Sequence, residues 1–333
     1  MKRFFSTIKN IFKIEDLRSR ILLTLGFILI YRLGAHIVLP GVNPNELSAL
    51  SKQTSEGVLS LLDMFSGGAF SNASIFALGI MPYISASIVI QLLTIAVPYF
   101  QKMQKEGESG RQKMNQITRY LTVAILLFQG PSYLVNLSVQ MAQAGQAISV
   151  GFNWFTISST ILLCAGSMFV MWLGERITDR GLGNGISFII LIGIIARFPA
   201  AIIQEFSSRL NEGGGLMVFI LEIIILLFVF AFAILLVQGT RRIPVQYAKR
   251  MVGNKQYGGV RQYIPLKVNA ANVMPIIFAQ AIMFIPIALA GFSTSESASA
   301  FTRAFMDNDG FWYNAVFAIL IIVFTYFYRS EEH

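Results

Sequence analysis

The stretch Gly57–Thr94 reads GVLSLLDMFSGGAFSNASIFALGIMPYISASIVIQLLT, and it decides the fold class of the chain. Its first ten or so residues have helical apolar spacing and would rise ~15 Å, about half of the ~30 Å hydrocarbon core of a bilayer. Ser66-Gly67-Gly68 then breaks the run, and a second apolar run from Ile75 to Ile95 is long enough to span. A non-helical backbone occurs at membrane depth only where surrounding protein or a water-filled cavity satisfies its polar groups. The stretch therefore predicts a half-helix and a full helix beside a cavity.

One face of the predicted full helix changes character along its length. At 100° per residue, Ile80, Ile84, Ser87, Gln91 and Thr94 fall on one stripe. The stripe is aliphatic near the middle of the membrane and polar toward one end, which suits a wall between a dry constriction and a wet vestibule. Spacing alone leaves an alternative open, in which the small and polar residues hold a neighbouring helix.

Composition places the whole chain in the membrane class. Hydrophobic residues make up 55% and charged residues 13% of the 333 residues, with a mean hydropathy of +0.63. A soluble domain carries about 25% charged residues. The single cysteine, Cys164, lies in an apolar run and excludes disulfide and CxxC chemistry.

The hydropathy pattern predicts an all-α polytopic membrane protein with about eight transmembrane helices and one re-entrant half-helix at 57–70. Residues 1–20 are expected to form a cytoplasmic amphipathic segment, and residues 329–333 a short tail. The first half would be 21–203, and the second half 216–328 would contain a cytoplasmic loop at 239–268. The predicted spans are 21–39, 75–95, 117–136, 154–173, 184–203, 216–238, 269–291 and 311–328.

The distribution of basic residues predicts the orientation. Most of the 26 Lys and Arg residues fall on one side of the membrane if the N-terminus is cytoplasmic, and residues 137–153 contain none. The positive-inside rule therefore favours a cytoplasmic N-terminus and, with eight spans, a cytoplasmic end of span eight. Arg197, late in span five, is expected to reach toward the membrane interface.

The chain shows no enzyme signature. HExxH, Walker A and GxSxG patterns are absent, and His36 and His333 cannot form a metal cluster. GLGNG (Gly181 to Gly185) joins two predicted membrane helices, so it indicates a tight turn and not a phosphate loop. We therefore expect no catalytic activity, no metal and no cofactor.

Long motifs carry a resemblance to a known family. MFSGGAFSNASIFALGIMPYISASIVIQLL (Met64 to Leu93) resembles the plug and second transmembrane segment of the SecY family of protein-conducting channels, and KEGESGRQK (Lys105 to Lys113) resembles the loop that follows. The resemblance extends from about Asp16 to Tyr328.

The resemblance implies a pore and a plug. In the family, a ring of aliphatic side chains closes the waist of the channel, and a half-helix blocks its outer funnel. A narrow apolar collar excludes ions and still conforms to a peptide. An alternative for the half-helix is a fixed re-entrant segment. The matching ring positions are Ile80, Ile84, Ile190 (in GISFII) and Ile277 (in NVMPII), and the matching plug positions are Leu61, Leu62, Met64, Phe65, Ser66, Gly67 and Gly68.

Spans two and seven resemble the two sides of the family's lateral gate, through which signal sequences pass into lipid. Prolines weaken a helix and amides bridge helices, which suits a wall that opens and equally suits an ordinary kinked helix. The gate positions implied by the resemblance are Ser87, Gln91, Asn269, Asn272, Pro275 and Gln280.

The basic loops resemble surfaces where the family docks the ribosome and the motor SecA. GTRRIPVQYAKR (Gly239 to Arg250) and YIPLKVN (Tyr263 to Asn269) are close to the family pattern, although Asn254-Lys255 stands where many relatives carry an Arg pair. Lys and Arg favour docking to ribosomal RNA with strong salt dependence. The implied positions are Lys105, Arg111, Arg241, Arg242, Lys249, Arg250, Lys255 and Lys267.

The resemblance therefore implies a channel subunit that passes unfolded polypeptides across the bacterial cytoplasmic membrane and releases hydrophobic segments into lipid. Its expected partners are SecE, SecG, SecA, the ribosome, signal sequences, nascent polypeptides and membrane lipid. Family members have ten spans, and the resemblance ends after FTYFY (Phe324 to Tyr328), so we expect a chain shortened at its C-terminus. Two alternatives stay open: an inactive fragment of such a channel, and a secondary transporter with broken helices.

Overall fold

The structure is a computed structural model, and it divides into two compact units, residues 1–199 with 280–318 and residues 200–279 with 319–333. Within them, the residues whose placement it describes are 13–42, 63, 66–143, 152–212, 215–245, 250–252, 255–257, 262–269, 275–276, 278–280, 282–283 and 310–330.

Helices dominate the described part of the chain. Their apolar runs explain them, since a backbone within a membrane satisfies its polar groups internally as a helix. They are α1 (Glu15–Gly34), α2 (Met81–Ala96), α3 (Pro98–Lys105), α4 (Glu108–Gln143), α5 (Phe152–Arg180), α6 (Gly185–Glu212), α7 (Gly215–Gln238) and α8 (Phe311–Ser330).

Several predicted boundaries are wrong. Span two was expected from residue 75, but residues 75–80 are turns and α2 begins at Met81. The predicted loop at 96–116 contains α3 and the start of α4. Spans three to five continue well beyond their predicted ends, because amphipathic and charged turns extend the apolar helices.

The break between α2 and α3 has a local cause. Val97 is extended (φ −115°, ψ 119°) because Pro98 follows it, and proline disfavours helical geometry in the preceding residue. The two helices bend by 98° at this point.

Three helices in the described ranges are long and apolar enough to cross a membrane: Trp154–Arg180, Gly185–Leu210 and Gly215–Gln238. The bent pair of α2 and α3 would be a fourth span if it is counted as one. The expected total of eight spans stays a prediction. Much of predicted span seven lies outside the described residues, which include only short helical pieces from Pro275 to Met283.

The core of the first unit forms where α4 and α5 meet the turns before α2. Aromatic and aliphatic side chains interlock there, and α4 and α5 pack along their lengths. The buried members of this cluster are Leu39, Val42, Phe70, Ala73, Ala77, Leu78, Leu126, Tyr133, Leu134, Leu137, Phe155 and Leu163.

The second unit contains strands that an all-α prediction missed. Within the predicted loop 239–268, β1 (Thr240–Val245) pairs antiparallel with β4 (Gln262–Lys267). Between them, β2 (Arg250–Val252) pairs antiparallel with β3 (Lys255–Tyr257). The helix before this ribbon, α7, buries none of its residues.

Candidate functional site

The centre of the first unit is a run of turns, Ser66–Ile80, which we call the turn segment. All but two of its residues are buried, although the segment is neither helix nor strand. Its backbone hydrogen bonds join residues that are close in the chain. For example, the Gly68 N–H donates to the Asp63 carbonyl (2.9 Å) and the Ser74 N–H donates to the Ala69 carbonyl (3.1 Å). Buried irregular backbone requires partners for its polar groups, and neighbouring elements supply the rest.

The chain after α1 supplies a backbone bridge. Leu39 donates its N–H to the Ala73 carbonyl at 2.9 Å, and Ile75 donates to the Ile37 carbonyl at 3.0 Å. Ala73 has a positive φ of 43°, an uncommon conformation for a residue with a side chain. This bridge holds residues 73–75 in a non-helical geometry and explains why the apolar run there does not form a helix.

Side chains of α1 and α4 cap the carbonyls at the start of the segment. The Tyr31 hydroxyl donates to the Ser66 carbonyl at 3.1 Å, and Arg32 Nη1 donates to the Gly67 carbonyl at 2.9 Å. From α4, the Tyr133 hydroxyl donates to the Phe70 carbonyl at 2.9 Å. Phe70 also packs edge-on against the Tyr133 ring, with centroids 4.8 Å apart.

An ion pair ties the segment to α6. Arg197 Nη2 lies 2.5 Å from Asp63 Oδ2 and donates to Ser71 Oγ at 3.0 Å. The other carboxylate oxygen, Asp63 Oδ1, accepts the Ser71 N–H at 2.8 Å. The interpretation of Arg197 as a side chain that reaches the membrane interface is therefore wrong, because its guanidinium is engaged by a buried carboxylate.

Asp63 was not singled out from the sequence, although a signal was present. It is a carboxylate in an otherwise apolar half-helix, and an acidic residue at membrane depth indicates a cationic partner. Arg32 and Arg197 were both candidates in the sequence, and the structure selects Arg197, 134 positions away in the chain.

The glycines of the break fit the same arrangement. Gly67 and Gly68 have φ values of 67° and 91°, which favour glycine over residues with a side chain. A Cβ on Gly67 would lie 2.9 Å from the Gly193 Cα of α6, and one on Gly68 would lie 3.3 Å from Arg197 Nε. The two glycines thus allow the turn segment to approach α6 closely.

Three of the four ring positions are described, and all are buried. Ile80 ends the turn segment and Ile84 lies in the first turn of α2, where its N–H donates to the Ile80 carbonyl at 3.1 Å. Ile190 lies in α6. Ile277 is outside the described residues, as are the plug positions Leu61, Leu62, Met64 and Phe65.

The positions assigned to a lateral gate are only partly described. Ser87 and Gln91 are half-buried on α2, and Asn269 and Gln280 are also half-buried, whereas Pro275 is buried. Asn272 lies outside the described residues. Five of the six assigned positions are thus described.

The basic positions lie on separate elements. Lys105 ends α3 and Arg111 lies in the first turns of α4, and both side chains are exposed. Arg241, Arg242 and Lys267 are exposed on the β1–β4 ribbon. Arg250 and Lys255 belong to β2 and β3, and Lys249 is outside the described residues.

A polar cleft beside α4 and α5 was not predicted. Arg119 of α4 forms a two-pronged ion pair with Glu175 of α5, with distances of 3.2 Å and 2.7 Å. The cleft has a volume of about 840 Å³, and Tyr83, Arg111 and Asn184 also line it. Within the described ranges, no three His, Cys, Asp or Glu residues are placed to hold a metal ion.

Comparisons with known proteins show the family of the chain. The SecY family model matches residues 74–331. Protein translocase subunit SecY of Streptomyces scabiei is 43% identical over 95% of this chain and 74% of its own length. The chain belongs to the SecY family. The expectation of a channel subunit and not an enzyme is thereby confirmed.

Solved structures support the SecY fold. A structure of a protein conducting channel matches with a TM-score of 0.57 and 15% identity, covering 93% of this chain and 70% of that one. A structure from a study of how the SecY plug domain stabilises the closed state of the channel matches with a TM-score of 0.51 and 18% identity. The match covers 82% of this chain and 58% of that one. A structure of the yeast Ssh1 complex bound to the yeast 80S ribosome matches with a TM-score of 0.55 and 14% identity. The match covers 84% of this chain and 60% of that one.

Proposed function

We propose that this SecY-family chain forms the polypeptide-conducting pore of a protein translocase. The observation that carries the proposal is the buried turn segment, whose carbonyls are capped by Tyr31, Arg32 and Tyr133. A segment built this way closes a path through the membrane without a continuous helix, since side chains replace the missing helical bonds. Such a segment can leave its position if those few contacts break.

Residues 57–70, which reach into the start of the turn segment, act as the plug. The positive φ values of Gly67 and Gly68 and the neutral hydroxyl caps at Ser66 and Phe70 support this role. A neutral hydrogen bond contributes about 1 kcal/mol, so a few of them hold the plug reversibly.

Ile80, Ile84, Ile190 and Ile277 form the constriction beside the plug. The burial of the first three supports this assignment, because aliphatic side chains around a narrow pore are shielded from solvent in the closed state. The half-buried Ser87 and Gln91 continue the same face of α2 toward its C-terminal end, as the wall of a vestibule or gate would. Asn269, Asn272, Pro275 and Gln280 supply the opposing side of that gate.

The basic ribbon and helix ends bind a polyanionic partner on the cytoplasmic side. The exposed Arg241, Arg242 and Lys267 support this proposal, as does the likeness of the fold to a ribosome-bound channel. The remaining contacts of the assembly would be SecE, SecG, SecA, signal sequences and nascent chains. We place the chain in the bacterial cytoplasmic membrane, with its N-terminus and basic loops in the cytoplasm.

Site-specific photocrosslinking tests the proposal. A photoreactive residue at Ile84 should crosslink an arrested secretory nascent chain in membranes that contain the assembled translocase. The matched control is a probe at Val89, an exposed position of α2, which should label lipid or partner subunits instead. Equal labelling of the nascent chain at both positions, or none at Ile84, would contradict a pore lined by this face of α2.

A further inference from the structure

We infer that the Asp63–Arg197 ion pair is a charge latch that couples the plug to α6, so that movement of α6 at the constriction releases the plug. The inference rests on the proposed function, because it takes Ile190 of α6 as part of the constriction. It adds two positioning residues that neither the motifs nor the family resemblance assigned.

The pair is asymmetric in its environment. The Asp63 side chain is 3% exposed and the Arg197 side chain 42% exposed. A buried carboxylate without a cation is strongly disfavoured, whereas a half-exposed guanidinium can be solvated when its partner leaves. Separation of the two charges therefore penalises Asp63 in its present position far more than it penalises Arg197.

The latch is the ion pair among the contacts that hold the segment. Arg32 also reaches the segment, but its guanidinium donates to the Gly67 carbonyl and not to a carboxylate. Tyr31 and Tyr133 donate hydroxyl protons to carbonyls. Among the described residues, Asp63 forms its ion pair with Arg197, and bonds to ionised groups are roughly twice as strong as neutral ones.

The position of Arg197 on α6 provides the coupling. Ile190, Gly193 and Arg197 are spaced i, i+3 and i+7, so they share one face of the helix over ~10 Å. Gly193 already lies against Gly67, and Arg197 lies against Gly68 and Ser71. A shift of α6 that widens the constriction at Ile190 therefore carries Gly193 and Arg197 away from the plug.

The consequence is an ordered release. Withdrawal of Arg197 leaves Asp63 buried without its cationic partner, and the carboxylate regains hydration only if the segment around it leaves its position. Plug displacement then follows from the movement of α6 and does not require direct contact between the plug and the incoming polypeptide.

Charge variants with two readouts test the latch. Arg197→Glu and Asp63→Arg should each accelerate amide hydrogen exchange in residues 66–74 at least tenfold and raise ion leak through the reconstituted translocase. The double exchange of the two charges should return both to within about threefold of the unmodified protein, and Arg197→Lys should be intermediate. The matched control reverses Asp16 and Arg20, an exposed ion pair of α1, and should change neither.

A third variant tests the coupling itself. Ile190→Trp, which props the constriction open, should accelerate exchange in residues 66–74 when Arg197 is present. It should add little when Arg197→Glu has already broken the latch. If the two effects simply multiply, α6 movement and plug release are independent and the coupling is overturned.

The outcomes separate the latch from the pore. Unchanged exchange in Arg197→Glu, or a double variant no better than the single ones, overturns the latch even if Ile84 crosslinks nascent chains. Exchange and leak that follow the predicted pattern, without nascent-chain crosslinks at Ile84, support the latch and contradict the proposed pore lining.

Discussion

Tyr133 holds Phe70 through both its hydroxyl and its ring. The hydroxyl donates to the Phe70 carbonyl at 2.9 Å, and the two rings meet edge-on with centroids 4.8 Å apart. Phe70 lies in the middle of the turn segment, and Tyr133 lies two residues after Pro131 in α4. This contact fixes the segment against the buried cluster of the first unit.

Removal of the Tyr133 hydroxyl should weaken the segment only moderately. Tyr133→Phe keeps the ring contact, and the Phe70 carbonyl keeps the Ala73 N–H at 3.2 Å, so we expect a loss of about 1 kcal/mol. Tyr133→Ala also removes a buried ring and should cost about 3–5 kcal/mol. Thermal unfolding of the purified protein in detergent measures both. Equal losses would mean that the ring contributes nothing.

Two glycines of α1 should respond in opposite directions to alanine. A Cβ on Gly34 would overlap the ring of Phe76, which stacks on Tyr31, so Gly34→Ala should destabilise the first unit by about 1–3 kcal/mol. Gly26 has nothing within 4 Å of such an atom, and Gly26→Ala should be neutral or stabilise by up to about 1 kcal/mol. Thermal unfolding of the two variants under the same conditions distinguishes them. A similar loss at both positions would show that the Phe76 contact is not what restricts Gly34.

The Arg119–Glu175 pair should contribute modestly to the packing of α4 on α5. Its two-pronged geometry is favourable, but the side chains are 45% and 25% exposed, so Glu175→Gln should cost about 1 kcal/mol or less. The matched control is Glu106→Gln, because Glu106 and Lys113 are 3.6 Å apart and more exposed, and it should have no measurable effect. A double-mutant cycle on Arg119 and Glu175 measures the interaction energy of the pair. An interaction energy of zero would mean that the packing of α4 on α5, and not the ion pair, sets the geometry of the cleft.

The basic ribbon should bind ribosomes in a salt-dependent manner. Arg241→Glu with Arg242→Glu should lower the affinity of the assembled translocase for ribosomes at least tenfold and make the salt dependence shallower, because two cations no longer displace counterions. Co-sedimentation over a range of salt concentrations measures both quantities. Substitution of both arginines by lysine conserves charge and should leave the salt dependence close to unchanged. Loss of binding in the lysine variant would indicate planar hydrogen bonding by arginine instead of charge.

The sequence predicted the apolar helices better than it predicted the turn segment. Helices α5, α6 and α7 contain their predicted spans because a long apolar run has few alternatives to a helix in a membrane. Residues 75–80 have the same apolar character, yet they form turns, because Leu39 and Ile75 make backbone bonds that no local pattern reveals. Gly79 has a φ of 53°, which also interrupts helical geometry there. A single glycine in an apolar run is not enough to predict such an interruption from the sequence.

The sequence also did not predict which charged residues pair in the folded chain. Arg197 was assigned to the interface because an arginine near a helix end usually extends there. Asp63 lies in a different predicted segment, and only the folded chain brings its carboxylate within 2.5 Å of that arginine. By contrast, the burial of Ile80 and Ile84 agrees with the stripe that their spacing defined. Periodicity therefore finds faces of helices, whereas long-range ion pairs require the tertiary structure.

The β1–β4 ribbon carries one proline on each strand, Pro244 opposite Tyr263 and Pro265 opposite Arg242. Proline has no N–H to offer, so each outer margin of the ribbon lacks a donor that an added strand would need. The ribbon is thus protected against sheet extension and against edge-to-edge aggregation. A macromolecule that docks on it must recognise side chains, because strand addition is blocked on both margins.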